Sequence, residues 1–356
     1  MTTRRNFFAG VAFCSCGMLD RAHAQGRPTR QAVAVEGRPV KTIDTHAHCV
    51  FPQAAARLGP DAAPPAATVR GTDEAAIEVA RRFAVMDAQK VDMEVLSVNP
   101  YWYAKPRNLA AEIVRINNES MAELCAAHPE RFAGFCSLTL QDPQLAVTEL
   151  ETAMRRQGLK GAAIAANMNG VEFSDPRFNP VWAKAEELGA VLFIHPLGVP
   201  ELAGRFRGNG WLGNTIGNPL DTTIALAHLI FEGTLDRYPR LKVLAAHGGG
   251  YLASYADRMD HACMVNPRGC DATITLRRRP SEYLNQIWFD SLVFSPEALR
   301  HLAAQVGPGQ IVLGSDYPFP WQLNPVDHVL ATDTLTAQQK IDILGGTAAR
   351  LLNLGS

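Results

Sequence analysis

Eight short apolar segments alternate with longer helical stretches along the chain, and this alternation limits the possible folds more than any other feature. The apolar segments are Val40–His46, Met93–Asn99, Phe132–Leu138, Gly161–Ala165, Val191–His195, Val243–His247, Ile287–Asp290 and Ile311–Asp316. Strands that alternate with helices form a parallel sheet with the helices outside. Because eight such units close into a barrel, we predict an α/β fold, a single (β/α)8 TIM barrel over residues 40–356.

The length of the chain fits two domains of typical size or one barrel with insertions equally well. The chain has 356 residues, of which 47% are hydrophobic and 19% are charged, and these are ordinary globular values. A formal net charge of −1 gives no basic surface for nucleic acid, so we expect no nucleic-acid partner. Two long segments, Phe51–Thr72 and Leu197–Asp221, follow the first and fifth predicted strands. We expect both to lie over the end of the barrel where the strands finish.

Residues 1–24 have the order of regions found in a secretory signal. Residues 3–8 (TRRNFF) resemble a twin-arginine export motif, an apolar stretch follows, and residues 22–24 (AHA) offer a cleavage site. The apolar stretch is too short for a membrane anchor. We expect export to the bacterial periplasm with no membrane attachment after processing. A disordered tail on a cytoplasmic protein is the alternative, and residues 25–39 are predicted to be a polar linker.

Cysteine usage does not predict a disulfide framework. Two of the seven cysteines lie in the predicted signal, which leaves Cys49, Cys125, Cys136, Cys263 and Cys270. An odd number at scattered spacings argues against a framework, and the absence of a CxxC motif argues against cysteine-bound zinc. We interpret Cys49 as a small packed side chain.

Histidine and aspartate side chains stand at the ends of four predicted strands. His46 and His48 are two residues apart at the end of the first strand, so both side chains point to one face. His195, His247 and Asp316 end the fifth, sixth and eighth strands. Barrel enzymes carry their active sites at this end. Each histidine alone could be a core residue, but together the five predict one site.

Imidazole and carboxylate groups suit a single divalent transition metal. We predict His46, His48, His195 and Asp316 as its ligands, with zinc as the first candidate and manganese or iron as alternatives. These four ligands leave a position for water or substrate, which the metal can activate. His247 is followed by three glycines, which allow backbone or substrate to approach closely. We therefore predict that His247 acts as a general acid or base.

Several motifs resemble the amidohydrolase superfamily, in the branch of aminocarboxymuconate semialdehyde decarboxylase and γ-resorcylate decarboxylase. They are HAH at 46–48, HP at 195–196, GNPLDTT at 217–223, DRYPRLKV at 236–243, AHGGG at 246–250 and GSDYPFP at 314–320. The similarity runs from about Lys41 to Leu354. It implies non-oxidative decarboxylation of a small carboxylic acid by the metal on the four ligands. It also implies catalytic roles for His247 and Asp316 and no organic cofactor.

The resemblance also implies particular substrate-binding residues. Members of the branch typically hold a substrate carboxylate with two arginines, one of them from a neighbouring subunit. Arg258 matches the intersubunit residue and Arg70 has the spacing of the other, and arginine binds carboxylates bidentately. Phe319 is expected to line the pocket. Trp211 lies three residues before Asn214, where the branch has a tryptophan, so it is also assigned to substrate binding. The intersubunit arginine implies a homodimer.

Two other functions use the same barrel. A hydrolase of a lactone, amide or ester needs the same metal ligands, with His247 or Asp316 as the base. Such an enzyme would add water-derived oxygen to its product, whereas a decarboxylase releases carbon dioxide. A binding protein that inherited the barrel would show no turnover.

Overall fold

The computed structural model describes residues 30–59 and 69–354. The predicted signal at residues 1–24 and the first part of the predicted linker lie outside the described residues. The strands are β1 (Val33–Val35), β2 (Arg38–Val40), β3 (Ile43–His48), β4 (Met93–Ser97), β5 (Phe132–Gly134), β6 (Gly161–Ile164), β7 (Asn167–Met168), β8 (Val171–Glu172), β9 (Val191–Ile194), β10 (Lys242–Ala245), β11 (Ile287–Asp290) and β12 (Ile311–Val312).

Helices separate the strands and cover them from outside. They are α1 (Pro52–Leu58), α2 (Val79–Ala88), α3 (Arg107–Ala127), α4 (Pro143–Arg155), α5 (Asn179–Leu188), α6 (Asn218–Phe231), α7 (Thr234–Arg237), α8 (Ala256–Val265), α9 (Pro296–Val306), α10 (Pro325–Leu330), α11 (Ala337–Ile341) and α12 (Thr347–Leu351). Short 3-10 and π-helical turns fill several of the connections.

Eight parallel strands close into a barrel. One sheet has the order β3-β4-β5, and the other has the order β12-β11-β10-β9-β6. A bridge between Cys136 and Ala162 joins β5 to β6, and a bridge between Asp44 and Leu313 joins the eighth strand to the first. The backbone N–H of Thr45 donates to Leu313 at 2.9 Å across this second seam. The predicted (β/α)8 barrel is confirmed.

Side chains fill the barrel interior, so the interior is a core and not a channel. Phe135 and Phe193 stack there with ring centroids 5.7 Å apart, and Leu244 and Val312 belong to the same buried cluster. The α12 helix adds Leu351 to this cluster and packs against β3 and β12. A ligand can therefore reach the barrel axis only at the carboxyl ends of the strands, as is usual for this fold.

The segment before the barrel differs from the predicted linker. Residues 33–40 form an antiparallel hairpin in which Val33 pairs with Val40. The alternation of buried Val33 and Val35 with exposed neighbours gives this segment one apolar face. Glu36 and Gly37, both with positive φ, make the turn. The linker prediction is therefore wrong over residues 33–39, because a valine alternation with a Gly turn is a hairpin signal.

One pair of cysteines is joined, although no larger framework forms among the described residues. Cys263 and Cys270 form a disulfide that closes the loop after α8. The two are only seven residues apart, so the bridge is local. An argument from the odd number and the scattered spacing of all five cysteines did not predict it. Cys49 is buried as predicted. In the part of the chain that is described, no helix has the length and apolar character needed to span a bilayer.

Candidate active site

The predicted ligands meet at the carboxyl end of the barrel. His46 and His48 belong to β3, His195 follows β9 directly, and Asp316 follows the bridge that extends β12. Their ligand atoms all lie within 4.8 Å of one another, and all four side chains are buried. The sequence rule that strand ends converge at one mouth therefore identified the site correctly.

Short distances join these side chains. The Nε2 atoms of His46 and His48 lie 3.1 Å apart. Asp316 Oδ1 lies 2.9 Å from His48 Nε2 and 3.3 Å from His46 Nε2. The ring of His195 has its centroid 4.5 Å from that of His48. One cation at the centre can therefore contact a donor atom from each residue.

The donor set fits a divalent metal ion. Both ring nitrogens of His195 are buried, and neither has a hydrogen-bond partner among the described residues. An unpaired polar group in a protein interior is costly, and a metal ion supplies the missing partner for one of the two nitrogens. Three imidazoles and a carboxylate match zinc, manganese or iron chemistry. The metal site on His46, His48, His195 and Asp316 is thus supported by the structure.

Two hydrogen bonds orient the imidazoles of β3 for this role. Asp290 Oδ2 lies 2.6 Å from His46 Nδ1, and an aspartate at this distance accepts the Nδ1 proton. The Ser97 hydroxyl donates to the Ala47 carbonyl oxygen, so it can accept from His48 Nδ1 at 3.0 Å. Both rings therefore present an unprotonated Nε2 to the metal.

Asp290 is a functional residue that the sequence reasoning did not assign. Its carboxylate also accepts the backbone N–H groups of His247 at 2.9 Å and Gly248 at 2.8 Å. One buried carboxylate therefore fixes a metal ligand and the turn that carries the predicted acid/base. The sequence did indicate this residue, because Asp290 ends the predicted strand Ile287–Asp290 in the same way that His195 ends the predicted strand Val191–His195.

The glycine turn after β10 holds His247 at the edge of the metal site. His247 has a φ of +55°, and the three glycines that follow it also have positive φ. A Cβ on Gly249 would lie 2.6 Å from the Phe289 ring. Glycine adopts a positive φ without strain, and at position 249 it has no Cβ to collide with the Phe289 ring. The turn leaves His247 Nε2 3.4 Å from Asp316 Oδ2 and its side chain 15% exposed, so this imidazole is less buried than the three that are predicted to bind the metal.

Burial and mutual charge set the protonation states of the ligands. Burial lowers the pKa of His48 and lowers that of His195 further. Burial also opposes charge on Asp316, but His46 and the other imidazoles hold the pKa of Asp316 well below its usual range. The result is an anionic carboxylate beside two neutral imidazoles, which are the forms that bind a metal.

His46 is the exception in the metal-free site. Burial lowers its pKa, but Asp316 and Asp290 outweigh burial and raise that pKa to about 10. The two carboxylates therefore favour one positive charge between them. A metal cation can supply this charge in place of the proton on Nε2.

A buried ion pair between Arg82 and Glu94 lies next to the metal ligands. Arg82 Nε donates to Glu94 at 2.5 Å, and Arg82 Nη1 donates to the carbonyl oxygen of His48 at 2.9 Å. The guanidinium also lies 4.7 Å from the ring centroid of Tyr317, next to Asp316. Arg82, on α2, therefore contacts the backbone of one metal ligand, His48, and the residue that follows another, Asp316.

A cavity of about 890 Å³ opens onto His195 and Asp316. This volume is in the range of small-molecule sites. Aromatic side chains form one part of its wall, namely Phe206, Trp211, Phe319 and Trp321. The long segment after β9 supplies much of the remaining wall, as expected for residues Leu197–Asp221.

Two of the four predicted substrate-binding residues line the cavity, and the other two are exposed and do not line it. Phe319 and Trp211 line the cavity, and the Trp211 ring stacks on Trp321 with centroids 5.8 Å apart. Arg258 is exposed on α8, and Arg70 is exposed next to Val69, which lines the cavity. In this chain, no lysine or arginine of residues 30–59 and 69–354 lines the cavity.

Comparisons with known proteins agree with this geometry. Residues 43–354 match the amidohydrolase family Amidohydro_2. The 2-amino-3-carboxymuconate-6-semialdehyde decarboxylase of Dictyostelium discoideum is 35% identical over 279 residues, which cover 77% of this chain and 76% of that protein. The γ-resorcylate decarboxylase of Rhodococcus jostii (strain RHA1) is 30% identical over 255 residues, which cover 67% of this chain and 76% of that protein.

A solved structure has the same fold. The 5-carboxyvanillate decarboxylase of Sphingomonas paucimobilis superposes with a TM-score of 0.80 at 27% identity, over 89% of this chain and 100% of that chain. The family match covers nearly the whole barrel, and these relatives are carboxy-lyases. The chain therefore belongs to the amidohydrolase family, in its branch of metal-dependent aromatic-acid decarboxylases.

Proposed function

We propose that the protein decarboxylates a small aromatic or unsaturated carboxylic acid without oxidation, using one bound metal ion. The observation that carries this proposal is the set of four buried ligands, two of which, His195 and Asp316, line a cavity with aromatic walls. The membership in a decarboxylase branch favours carbon–carbon cleavage over hydrolysis.

The reaction exchanges a carboxylate for a proton. A divalent metal held by His46, His48, His195 and Asp316 would supply Lewis-acid stabilisation of negative charge on substrate oxygens. The ring carbon that bears the carboxylate accepts a proton, and its bond to the carboxylate carbon then breaks. Carbon dioxide leaves, and the electron pair of that bond returns to the ring.

His247 is the group best placed to move the proton. Its Nε2 lies 3.4 Å from Asp316 Oδ2, and its imidazole is the most exposed of the four in the site. Asp290 accepts the backbone N–H of His247 and thereby holds the turn that carries the imidazole. A positioned acid of this kind contributes about 10²–10⁴-fold to the rate of a proton transfer.

The cavity wall suits a planar ring. Phe319 stands next to the metal site, with its ring centroid 5.8 Å from that of His48. Trp211 and Trp321 lie nearly parallel, with 13° between their planes. Aromatic side chains bind an aromatic substrate by offset or edge contacts, and they exclude water from the carbon that accepts the proton.

Arg258 and Arg70 are proposed to bind acidic groups of the substrate. Arg258 lies on the same exposed helix as Met264 and Val265, which are 68% and 77% exposed. Large exposed apolar side chains of this kind mark an interaction surface, so we place a homodimer interface at α8 with Arg258 directed at the partner's cavity. Arg70 would approach from the segment beside Val69.

Mixing inactive variants tests this dimer. Arg258→Ala and His247→Ala proteins are refolded together, and each heterodimer then has one intact site only if Arg258 acts across the interface. Random pairing should restore about a quarter of wild-type activity. No recovered activity in a mixture shown to contain heterodimers would contradict an intersubunit role for Arg258.

Zinc is the proposed metal, because three imidazoles and one carboxylate form a borderline-soft donor set. Manganese and iron accept the same donors. Elemental analysis of protein purified without added metal is expected to find about one zinc per chain. Manganese or iron at that level would replace zinc in the proposal and leave the ligand set unchanged.

A turnover screen tests the reaction. Metal-loaded protein is incubated with a panel of aromatic acids in D2O, and carbon dioxide and products are followed together. A decarboxylase gives one carbon dioxide per product, with deuterium on the carbon that carried the carboxylate. New acid groups containing oxygen from labelled water, without carbon dioxide, would instead identify a hydrolase.

We also propose that the protein is exported to the periplasm by the twin-arginine route. The signal-like order of residues 1–24 and the Cys263–Cys270 disulfide support this, because disulfides persist in oxidising compartments. Fractionation of cells that express the full chain is the test. Lysines in place of Arg4 and Arg5 should retain the protein in the cytoplasm, and an unchanged distribution would argue against this route.

A further inference from the structure

Two asparagine–glycine pairs occur in the chain, and both lie beside the cavity. They are Asn169–Gly170, in the turn between β7 and β8, and Asn209–Gly210, in the segment after β9. All four residues are exposed. The first pair lines the cavity itself, and the second pair directly precedes Trp211, which also lines it. The two pairs therefore have the same chemistry and similar exposure, and they differ in how the fold holds them.

An asparagine that is followed by glycine can lose its side-chain amide without an enzyme. The backbone nitrogen of the glycine gives up its proton and attacks Cγ of the asparagine, the Cγ–Nδ2 bond breaks, and ammonia leaves with that proton. Water then opens the resulting cyclic imide at either carbonyl carbon and leaves aspartate or isoaspartate. Glycine favours this step because it has no Cβ to hinder the attacking nitrogen.

The fold blocks this reaction at Asn169. The Gly170 N–H donates to Asn167 Oδ1 at 2.8 Å, and Asn169 Nδ2 donates to the carbonyl oxygen of Tyr103 at 2.8 Å. Asn169 also has a φ of +52° in the turn of the β7–β8 hairpin, a conformation that such turns require. The attacking nitrogen and the leaving amide are therefore both held away from each other by hydrogen bonds.

No such contacts hold Asn209. Among the described residues, neither the Asn209 side chain nor the Gly210 N–H has a hydrogen-bond partner. Gly208 and Gly210 flank the asparagine with φ values of +107° and +92°, and a Cβ at Gly208 would meet no atom within 4 Å. A stretch with so few contacts opens locally at little cost, so the Gly210 nitrogen is free to reach the side chain.

We propose that Asn209 is a self-modification site, at which the folded protein converts the asparagine to aspartate and isoaspartate. Gly210 supplies the attacking nitrogen, and Asn169 is protected by its hydrogen bonds. The site does not depend on the reaction that the metal centre performs.

The conversion adds a negative charge beside the cavity. Glu201 and Asp221 already line it, whereas no lysine or arginine of the described residues does. Isoaspartate also adds one carbon atom to the main chain just before Trp211, whose ring stacks on Trp321. An acidic ligand is therefore bound less well after the conversion, by about 2-fold for one exposed charge.

Peptide mapping tests the site. Folded wild type is held in water enriched in oxygen-18 and then digested with trypsin in ordinary water, so that only carboxyl groups formed before the digest carry the label. Cleavage after Lys160 and Arg177 releases residues 161–177 with Asn169, and cleavage after Arg207 and Arg237 releases residues 208–237 with Asn209. Protein unfolded in urea is held in parallel, because neither asparagine is protected there.

In the folded protein, Asn209 should convert about 30-fold faster than Asn169, the effect of two ordinary hydrogen bonds that must break first. In urea the two rates should be similar, and isoaspartate among the products identifies the imide route. Asn209→Gln should carry no label at this position, because its longer side chain closes the ring poorly. Equal rates in the folded protein would overturn the proposal, as would an Asn209 that converts only in urea.

Steady-state kinetics of two variants measure the consequence for the cavity. Asn209→Asp carries the new charge on every molecule, and Asn209→Gln carries none. Asn209→Asp should have the higher KM for an acid that the enzyme converts, by about 2-fold, with kcat unchanged, and equal KM values would overturn the effect on the cavity. This measurement alone rests on the proposed function. Turnover in neither variant nor wild type would reject the decarboxylase and leave the result of the peptide mapping to decide the modification site.

Discussion

Replacing Asp290 should weaken metal binding although Asp290 is not a ligand. Its carboxylate accepts from His46 Nδ1 at 2.6 Å and from the N–H groups of His247 and Gly248 at 2.9 and 2.8 Å. Asp290→Asn preserves shape, but one oxygen becomes an amide that can only donate. The variant therefore cannot accept from the imidazole and from both backbone groups.

The expected size follows from these contacts. A hydrogen bond to a charged group contributes about 1.5–3 kcal/mol, and changes in groups that orient metal ligands cost about 10- to 100-fold in metal affinity. We expect Asp290→Asn to bind zinc in this range below wild type, because a neutral amide oxygen accepts the His46 Nδ1 proton more weakly than a carboxylate and the amide NH2 meets other N–H donors. Activity should fall further, since the turn of His247 loses its anchor.

Competition with a chromogenic chelator measures the zinc affinity of metal-free protein directly. Asp333→Asn is the matched control, because Asp333 is exposed between α10 and α11, away from the site. Far-ultraviolet circular dichroism checks that Asp290→Asn is folded. Wild-type zinc affinity in a folded Asp290→Asn protein would refute the view that Asp290 orients His46.

Three further changes probe stability. Arg82→Met leaves buried Glu94 without its partner and should cost about 3–5 kcal/mol in denaturant unfolding; a loss below 1 kcal/mol would show that the pair is not structural. Burial raises the pKa of Asp221 to about 6, so the folded state binds more protons and stability falls as pH rises from about 4 to 6. Metal-free Asp221→Asn should show a smaller fall than wild type, and identical pH profiles would contradict this. Cys270→Ser opens the disulfide to Cys263 and should cost up to about 2.5 kcal/mol, a loss that reductant should reproduce in wild type but not in the variant.

The barrel and its metal ligands could be predicted because both depend on simple periodicities. Apolar runs of strand length locate the strands, and the residue at each strand end must face the same mouth. His46, His195 and Asp316 were found in this way, without knowledge of any contact. The same rule points to Asp290, but the sequence does not show that its carboxylate accepts hydrogen bonds from His46 and from the turn that carries His247.

The features that escaped prediction did so for different reasons. Asn99 ends the predicted strand Met93–Asn99 and Tyr101 follows it, but only the closed barrel places both on the wall of the cavity that Asp316 also lines. The Cys263–Cys270 bridge depends on how the loop after α8 folds back. The hairpin at residues 33–40 has a local sequence pattern, alternating valines and a glycine turn, but the polar composition of the segment led to its interpretation as a linker.

Metal removal and return, with carbon dioxide as the readout, tests the central claim most directly. Chelator-treated wild type should release no carbon dioxide from an acid that the untreated enzyme converts, and one equivalent of metal per chain should restore release. His247→Ala should bind the same equivalent and still release none, because its metal ligands are intact. Undiminished release from metal-free protein, or from metal-loaded His247→Ala, would contradict a metal-dependent decarboxylase that uses His247 to move the proton.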